Sequence, residues 1–247
     1  MINFDDPTSN SEKPVPHNPF DELLGRRYAT IKDLCPHIEE VRIIAAQYLK
    51  ELLAGKPESR FEILEPGCGS GSETLLLLKA DPRVNIIGID SANTMLEQVA
   101  TDPRLTLVQS DVQKYLAELP EQCFDGVASA LFTHNLTPPE RDAYYQALGR
   151  VIKPGGVYVN LDICVPDDKA DHQRRIDEQL VNVGAIESFD LEAGRAWRDH
   201  MLHDAADDMR FTWEEQSGQL DANGFDGKRV LDKRLESIFT AVKRNEQ

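Results

Sequence analysis

The sequence predicts an α/β fold, a doubly wound and mostly parallel seven-stranded sheet with a helical insertion before a closing C-terminal antiparallel hairpin. Three observations predict it. Short apolar runs alternate with helically patterned segments from Phe61 to Asp162, which is the rhythm of strands joined by crossover helices. Glycine and proline punctuate the junctions, as at Gly55, Pro57 and Lys153-Pro154-Gly155-Gly156. After Gly224-Phe225, the runs Lys228–Asp232 and Ser237–Lys243 are spaced for an antiparallel pair.

Met1–Pro19 is polar, holds four prolines and lacks the apolar stretch of a secretory signal, so residues 1–19 read as a flexible arm. Residues 20–247 then read as a single domain. Phe20–Cys35 and Ile38–Ala54 space their apolar residues for helices, which places N-terminal helices over 20–57. The core, residues 58–164, carries strands at Phe61–Glu65, Val84–Asp90, Leu105–Gln109, Phe124–Ala130 and Val157–Asp162. Helices fall between them at Ser72–Lys79, Asn93–Ala100, Val112–Glu118 and Glu140–Ile152. Residues 165–218 break the alternation and read as helical throughout, and residues 219–247 supply the closing strands.

Composition narrows the class. A hydrophobic fraction of 40% with 28% charged residues suits a globular chain with a full core. No apolar run reaches the ~18 residues that a membrane helix needs. A net charge of −16 disfavours a nucleic-acid partner, whose phosphates call for a basic surface. Cys35, Cys68, Cys123 and Cys164 form no C-x-x-C pair and read as free thiols of a reducing cytoplasm. Ile163–Glu215 holds fourteen acidic and six basic residues, both tryptophans and three of the six histidines.

Ligands of an open parallel sheet bind beyond the carboxyl ends of its strands, and three motifs fall there. Glu65-Pro66-Gly67-Cys68-Gly69-Ser70-Gly71 follows the first strand, and its glycines let the backbone approach a ligand closely. Asp90, with Ser91 beside it, ends the second strand, where a carboxylate can accept from both hydroxyls of a ribose. Ser110-Asp111-Val112 follows the third, with Asp111 suited to an adenine amino group and Val112 offering a backbone N–H. A dinucleotide site would instead show G-x-G-x-x-G, and here Glu73 in the first helical turn would repel a pyrophosphate.

These motifs, with Cys123-Phe124-Asp125-Gly126-Val127 and Leu148–Gly156, resemble the class I, Rossmann-like S-adenosylmethionine-dependent methyltransferases over about Phe61–Asp162. The resemblance implies S-adenosyl-L-methionine as cofactor and S-adenosyl-L-homocysteine as product. It also implies Glu65, Gly67, Cys68, Gly69, Gly71, Asp90, Ser91, Asp111, Val112 and the backbone of Ala130 as cofactor contacts. Beyond the core, the layout is similar to bacterial small-molecule methyltransferases and, more distantly, to carboxy-S-adenosylmethionine synthase. Arg195 is the nearest counterpart of the synthase's cofactor-holding arginine. Ala130 replaces the synthase's asparagine, which favours ordinary methyl transfer.

A methyl-transfer site needs the acceptor held in line, and an acceptor with a proton to lose also needs a base. His134, just past the fourth strand, is the candidate base, and a capping role for the same ring stays open. The insertion over 165–218 is expected to form an acidic lid, with Arg195, Trp197 and His200 facing a small-molecule acceptor through which N or O is methylated. His200 and His203 with Asp199, Asp204 and Asp207 fix no complete ligand set, so no metal is expected. A cytoplasmic enzyme without membrane or nucleic-acid partners is the leading expectation. A modified-cofactor enzyme, a non-catalytic cofactor-binding module and a homodimer remain open.

Overall fold

A computed structural model of the chain describes Phe20 and residues 23–33, 36–166, 168–204, 206 and 209–245. The expected N-terminal arm, Cys35 and Asp207 lie outside the described residues. The strands are β1 (Phe61–Pro66), β2 (Val84–Asp90), β3 (Leu105–Gln109), β4 (Phe124–Ala130), β5 (Ile152–Ile163), β6 (Phe225–Lys233) and β7 (Glu236–Lys243). They form one sheet in the order β3-β2-β1-β4-β5-β7-β6, in which β7 runs against the other six. The strand order reverses between β1 and β4, which opens the crevice where such sheets bind ligands.

The helices are α1 (Leu23–Asp33), α2 (Pro36–Leu53), α3 (Ser72–Ala80), α4 (Asn93–Leu96), α5 (Val112–Glu118), α6 (Pro138–Val151), α7 (Lys169–Phe189), α8 (Leu191–Asp204) and α9 (Trp213–Ala222). One face of the sheet packs Tyr144, Tyr145, Leu148 and Leu220 of α6 and α9 against Val127, Tyr158 and Phe239. The other packs Val41, Leu49 and Leu77 of α2 and α3 against Ile63, Ile86 and Val159. Covered on both sides, β5 reads as the continuous buried run Val157–Leu161 rather than as an alternation. Each leucine so buried contributes about 1.5–3 kcal/mol.

Three expectations are corrected. Helix α4 ends at Leu96 rather than Ala100, because the chain turns there and brings Val99 onto the glycine loop, where a Cβ on Gly71 would lie 2.6 Å from it. Strand β5 begins at Ile152, which pairs with Phe124, and Lys153–Gly156 forms an irregularity within the strand, with Gly155 at a φ of 72°, before Val157 pairs with Gly126. Residues 165–218 are not wholly helical. Val165 pairs in parallel with Thr212, the Val165 N–H donating to Phe211 O at 3.0 Å and the Trp213 N–H to Val165 O at 3.0 Å. The Trp213 indole holds this bridge in place by donating to Cys164 O at 2.7 Å and to Ser237 Oγ at 2.9 Å.

Candidate active site

The loops after β1, β2 and β4 converge at the strand-order reversal. The glycine loop takes the backbone conformations that its residues permit: Gly67, Gly69 and Gly71 all have positive φ, at 66°, 53° and 76°. Gly67 has a second reason to be glycine, since a Cβ there would sit 2.5 Å from the Phe132 ring. This contact brings the β1 loop against the β4 loop. Asp90 locks the glycine loop to β2, its Oδ2 accepting from the Gly69 N–H at 2.9 Å and its Oδ1 from the Ala92 N–H at 2.9 Å. Cys68 is buried within the same turn, and burial, with Glu65 and Asp90 nearby, raises its thiol pKa far above the usual range.

Beneath the loop lies a group of buried charges. Glu65 is 1% exposed, and burial pushes its carboxyl up to about 8 against the opposing pull of Thr74 and Arg42. Glu73 is also buried, and desolvation holds its carboxyl well above its ordinary value despite Arg42. Burial thus disfavours the charged form of Glu73 at the start of α3. Arg42 donates from Nη2 to the Tyr28 hydroxyl at 2.9 Å. Its buried Nε and Nη1 have no hydrogen-bond partner among the described residues, and neither has Glu65 Oε2.

The β4 loop carries the second half of the site. Leu131 adopts a left-handed φ of 56°, rare outside glycine, and a single 3₁₀ turn, Thr133–Asn135, follows. Thr137 ends that turn, because its N–H donates to Glu140 Oε2 at 2.8 Å and so starts α6. The buried Arg141 guanidinium fixes the whole corner. It donates to Leu136 O at 2.7 Å and Met209 O at 3.0 Å and pairs with Glu215 at 2.6 Å.

This framework sets His134 Nδ1 2.5 Å from Asp162 Oδ1, with both side chains buried. Asp162 ends the buried run of β5 and also accepts from the Thr133 N–H at 2.7 Å and the Ile163 N–H at 2.9 Å. Burial alone would raise the Asp162 pKa, but His134 and the two N–H donors bring it below its ordinary value. An anion so placed accepts a hydrogen bond from the Nδ1–H and leaves Nε2 as the basic nitrogen of the ring.

The remaining candidates are spread around this centre. Asp111 caps α5, its Oδ1 accepting from the Lys114 N–H at 2.8 Å, while Val112 is buried behind it. Ser91 is exposed, and Ala130 pairs with Leu161 at the end of β4. On α8, Arg195 is exposed, whereas Trp197 and His200 turn inward, their rings 5.8 Å apart. Burial, with His134 and His203 nearby, lowers the His200 pKa to about 3. Among the described residues, no group of three or more His, Cys, Asp or Glu is placed to hold a metal, and no helix is long and apolar enough to cross a membrane.

Residues 63–156 match the family model of the methyltransferase domain. Over that stretch the chain resembles the S-adenosylmethionine-dependent methyltransferases. It is 29% identical over 160 residues to a trans-aconitate 2-methyltransferase of Acidovorax sp. (strain JS42), covering 63% of this chain and 54% of that one. It is 28% identical over 132 residues to a malonyl-[acyl-carrier protein] O-methyltransferase of Paenibacillus sp. (strain JDR-2), covering 50% and 47%. The chain thus spans about half the length of the curated relatives it matches. The fold also matches CalO1, a methyltransferase of calicheamicin biosynthesis solved with S-adenosylhomocysteine bound. The TM-score is 0.53 at 21% identity, over 81% of this chain and 54% of that one.

Two site residues escaped the sequence reading, Asp162 and Arg42. Asp162 carried a signal, since an acid closing an apolar strand is the same pattern that singled out Asp90. Arg42 carried none, being one cation among the polar positions of α2.

Proposed function

We propose that this chain moves a methyl group from S-adenosyl-L-methionine to an N or O atom of a small-molecule acceptor by in-line displacement. The observation that carries the reading is the buried His134–Asp162 pair on the loop that touches Gly67. The glycine loop fits a nucleoside cofactor on two counts: a backbone kept free of Cβ atoms, and buried polar atoms of Arg42 and Glu65 left without partners. When bound, the cofactor supplies a methyl group on a sulfonium that departs as a thioether.

The chain's own residues then divide the work. Gly67, Cys68, Gly69, Gly71 and Ala130 run their backbone beside the methionine part, and Arg42 offers its two unpaired donors to the cofactor's carboxylate. Glu65 lies under the same end. Asp90 and Ser91 hold the ribose, and Asp111 with the Val112 N–H takes the adenine edge. His134 accepts the acceptor's proton at Nε2, and Asp162 stabilises the imidazolium that results. Proton removal of this kind contributes about 10²–10⁴-fold to a rate.

The relatives named for trans-aconitate and malonyl-[acyl-carrier protein] methylation support transfer to a small or carrier-borne acceptor, and the S-adenosylhomocysteine-bound neighbour supports the cofactor. The free Cys68, Cys123 and Cys164 support a cytoplasmic setting. The test is calorimetric titration with S-adenosylhomocysteine, followed by tritium transfer from labelled S-adenosylmethionine over an acceptor panel. Saturable one-to-one binding with label appearing in product is expected. Binding without transfer to any acceptor would leave a cofactor-binding module, and no binding would sink the reading.

A further inference from the structure

The inner face of the lid is aromatic, not acidic. Helices α1 and α8 bring Phe20, Tyr28, Trp197 and His200 together, with ring centroids 5.1 Å apart for Phe20–His200, 6.1 Å for Phe20–Tyr28 and 6.4 Å for Tyr28–Trp197. Phe20 joins this cluster to the glycine loop, its carbonyl accepting from Thr94 Oγ1 at 2.7 Å. The adjacent Met95 packs so close that a Cβ on Gly69 would lie 3.2 Å from it, and His200 faces the side of His134. The lid's ionic groups are used elsewhere. Arg198 pairs with Glu187 at 2.7 Å, Arg175 with Asp232 at 2.6 Å, Arg174 with Asp171 and Glu178, and Arg27 of α1 with Asp190. Asp177, Glu192, Arg195 and Asp199 are exposed.

We infer that the acceptor is an uncharged, ring-bearing hydroxyl compound, bound between the Phe20–Tyr28–Trp197–His200 cluster and the His134–Asp162 pair. The inference rests on the methyltransferase reading and adds the acceptor's class to it. A polycarboxylate would find the described lid arginines engaged or turned to solvent, since Arg174, Arg175 and Arg198 face carboxylates, Arg210 donates to Pro166 O and Arg195 is exposed, and burying an unpaired carboxylate is costly. An ammonium would enter beside His200, whose burial already resists positive charge. A hydroxyl arrives neutral. Its proton passes to His134 Nε2 as an oxygen lone pair takes the methyl carbon, the carbon–sulfur pair returns to sulfur, and the imidazolium beside Asp162 later gives the proton to water. The aromatic rings hold the acceptor's own ring by edge and face contacts.

The test uses the full chain and 2-naphthol, benzylamine and trans-aconitate as probes. In the protein saturated with S-adenosylhomocysteine, 2-naphthol is expected to quench tryptophan fluorescence saturably, and Trp197→Phe to lose that quench because Trp213 lies apart from the cluster, its indole bonded to Cys164 and Ser237 and its ring covered by Arg229. With labelled S-adenosylmethionine, 2-naphthol is expected to be methylated and the other two probes to stay unlabelled. Trp197→Ala should raise KM for 2-naphthol about tenfold with S-adenosylhomocysteine affinity unchanged, which also certifies its folding. S-adenosylhomocysteine binding without quench or methylation of 2-naphthol, or preferential methylation of trans-aconitate or benzylamine, overturns this inference alone. Absence of S-adenosylhomocysteine binding overturns it together with the reading beneath it.

Discussion

The rim of the sheet and the lid both hold many charges, yet they treat them in opposite ways. At the rim, Arg42, Glu65, Glu73 and Asp162 are buried, and Arg42 and Glu65 keep polar atoms without partners. In the lid, Arg174 and Arg198 meet carboxylates at the surface or its margin, and Glu192 is 73% exposed on its side chain. Exposed pairs of that kind are worth little, whereas a buried charge short of partners costs stability and so marks a place where a ligand can supply what is missing. A count of charges along the sequence points to the lid, and burial moves the attention to the rim.

The largest effect should come from the proton-accepting pair. Asp162→Asn removes the anion that fixes the His134 tautomer, so turnover should fall about a hundredfold with S-adenosylhomocysteine affinity intact. The far-downfield Nδ1–H resonance expected for wild-type His134 should vanish in the same variant. Next come the cofactor contacts. Arg42→Met and Asp90→Ala should each weaken S-adenosylhomocysteine binding by roughly 1–3 kcal/mol through lost charge-assisted hydrogen bonds, measured by calorimetry.

The pH dependence separates two strand-end acids. Glu65 has its folded pKa raised from 4.5 to about 8, so its contribution to stability is full below about 4.5 and lost as pH rises through about 8. Glu65→Gln should therefore flatten the fall in melting temperature across that window. Asp162 has the opposite sign. Its pKa lies below the ordinary 3.8, so its contribution is present above that value and lost as pH falls further. The smallest effect belongs to the lid: Glu192→Gln should leave cofactor affinity within about twofold and melting nearly unchanged, as exposed pairs do.

Much of the fold was legible because its signals are local. Val84–Asp90, Leu105–Gln109 and Val112–Glu118 stand where apolar runs, an N-cap and turn residues put them. The glycine loop and Asp90 were legible for the same reason. What stayed hidden depends on contacts between distant residues. His134 and Asp162 are separated by 28 positions and meet only because β4 and β5 are neighbours. Arg42 looks like a surface cation until α2 packs over β1, and Glu73 looks like a helix-end anion until the same packing buries it. Phe211 and Thr212 look like part of a helix, but the demand of Trp213 for the Cys164 carbonyl draws them into a bridge with β5's end.

The claim that function lies in the unpaired buried charges of the rim is tested most directly by one calorimetric comparison. S-adenosylhomocysteine is titrated into the wild-type chain, Arg42→Met and Glu192→Gln at the same pH and salt. The account predicts equal affinity for wild type and Glu192→Gln, and affinity weaker by about tenfold or more for a folded Arg42→Met. Wild-type affinity in Arg42→Met, or a loss confined to Glu192→Gln, would contradict it.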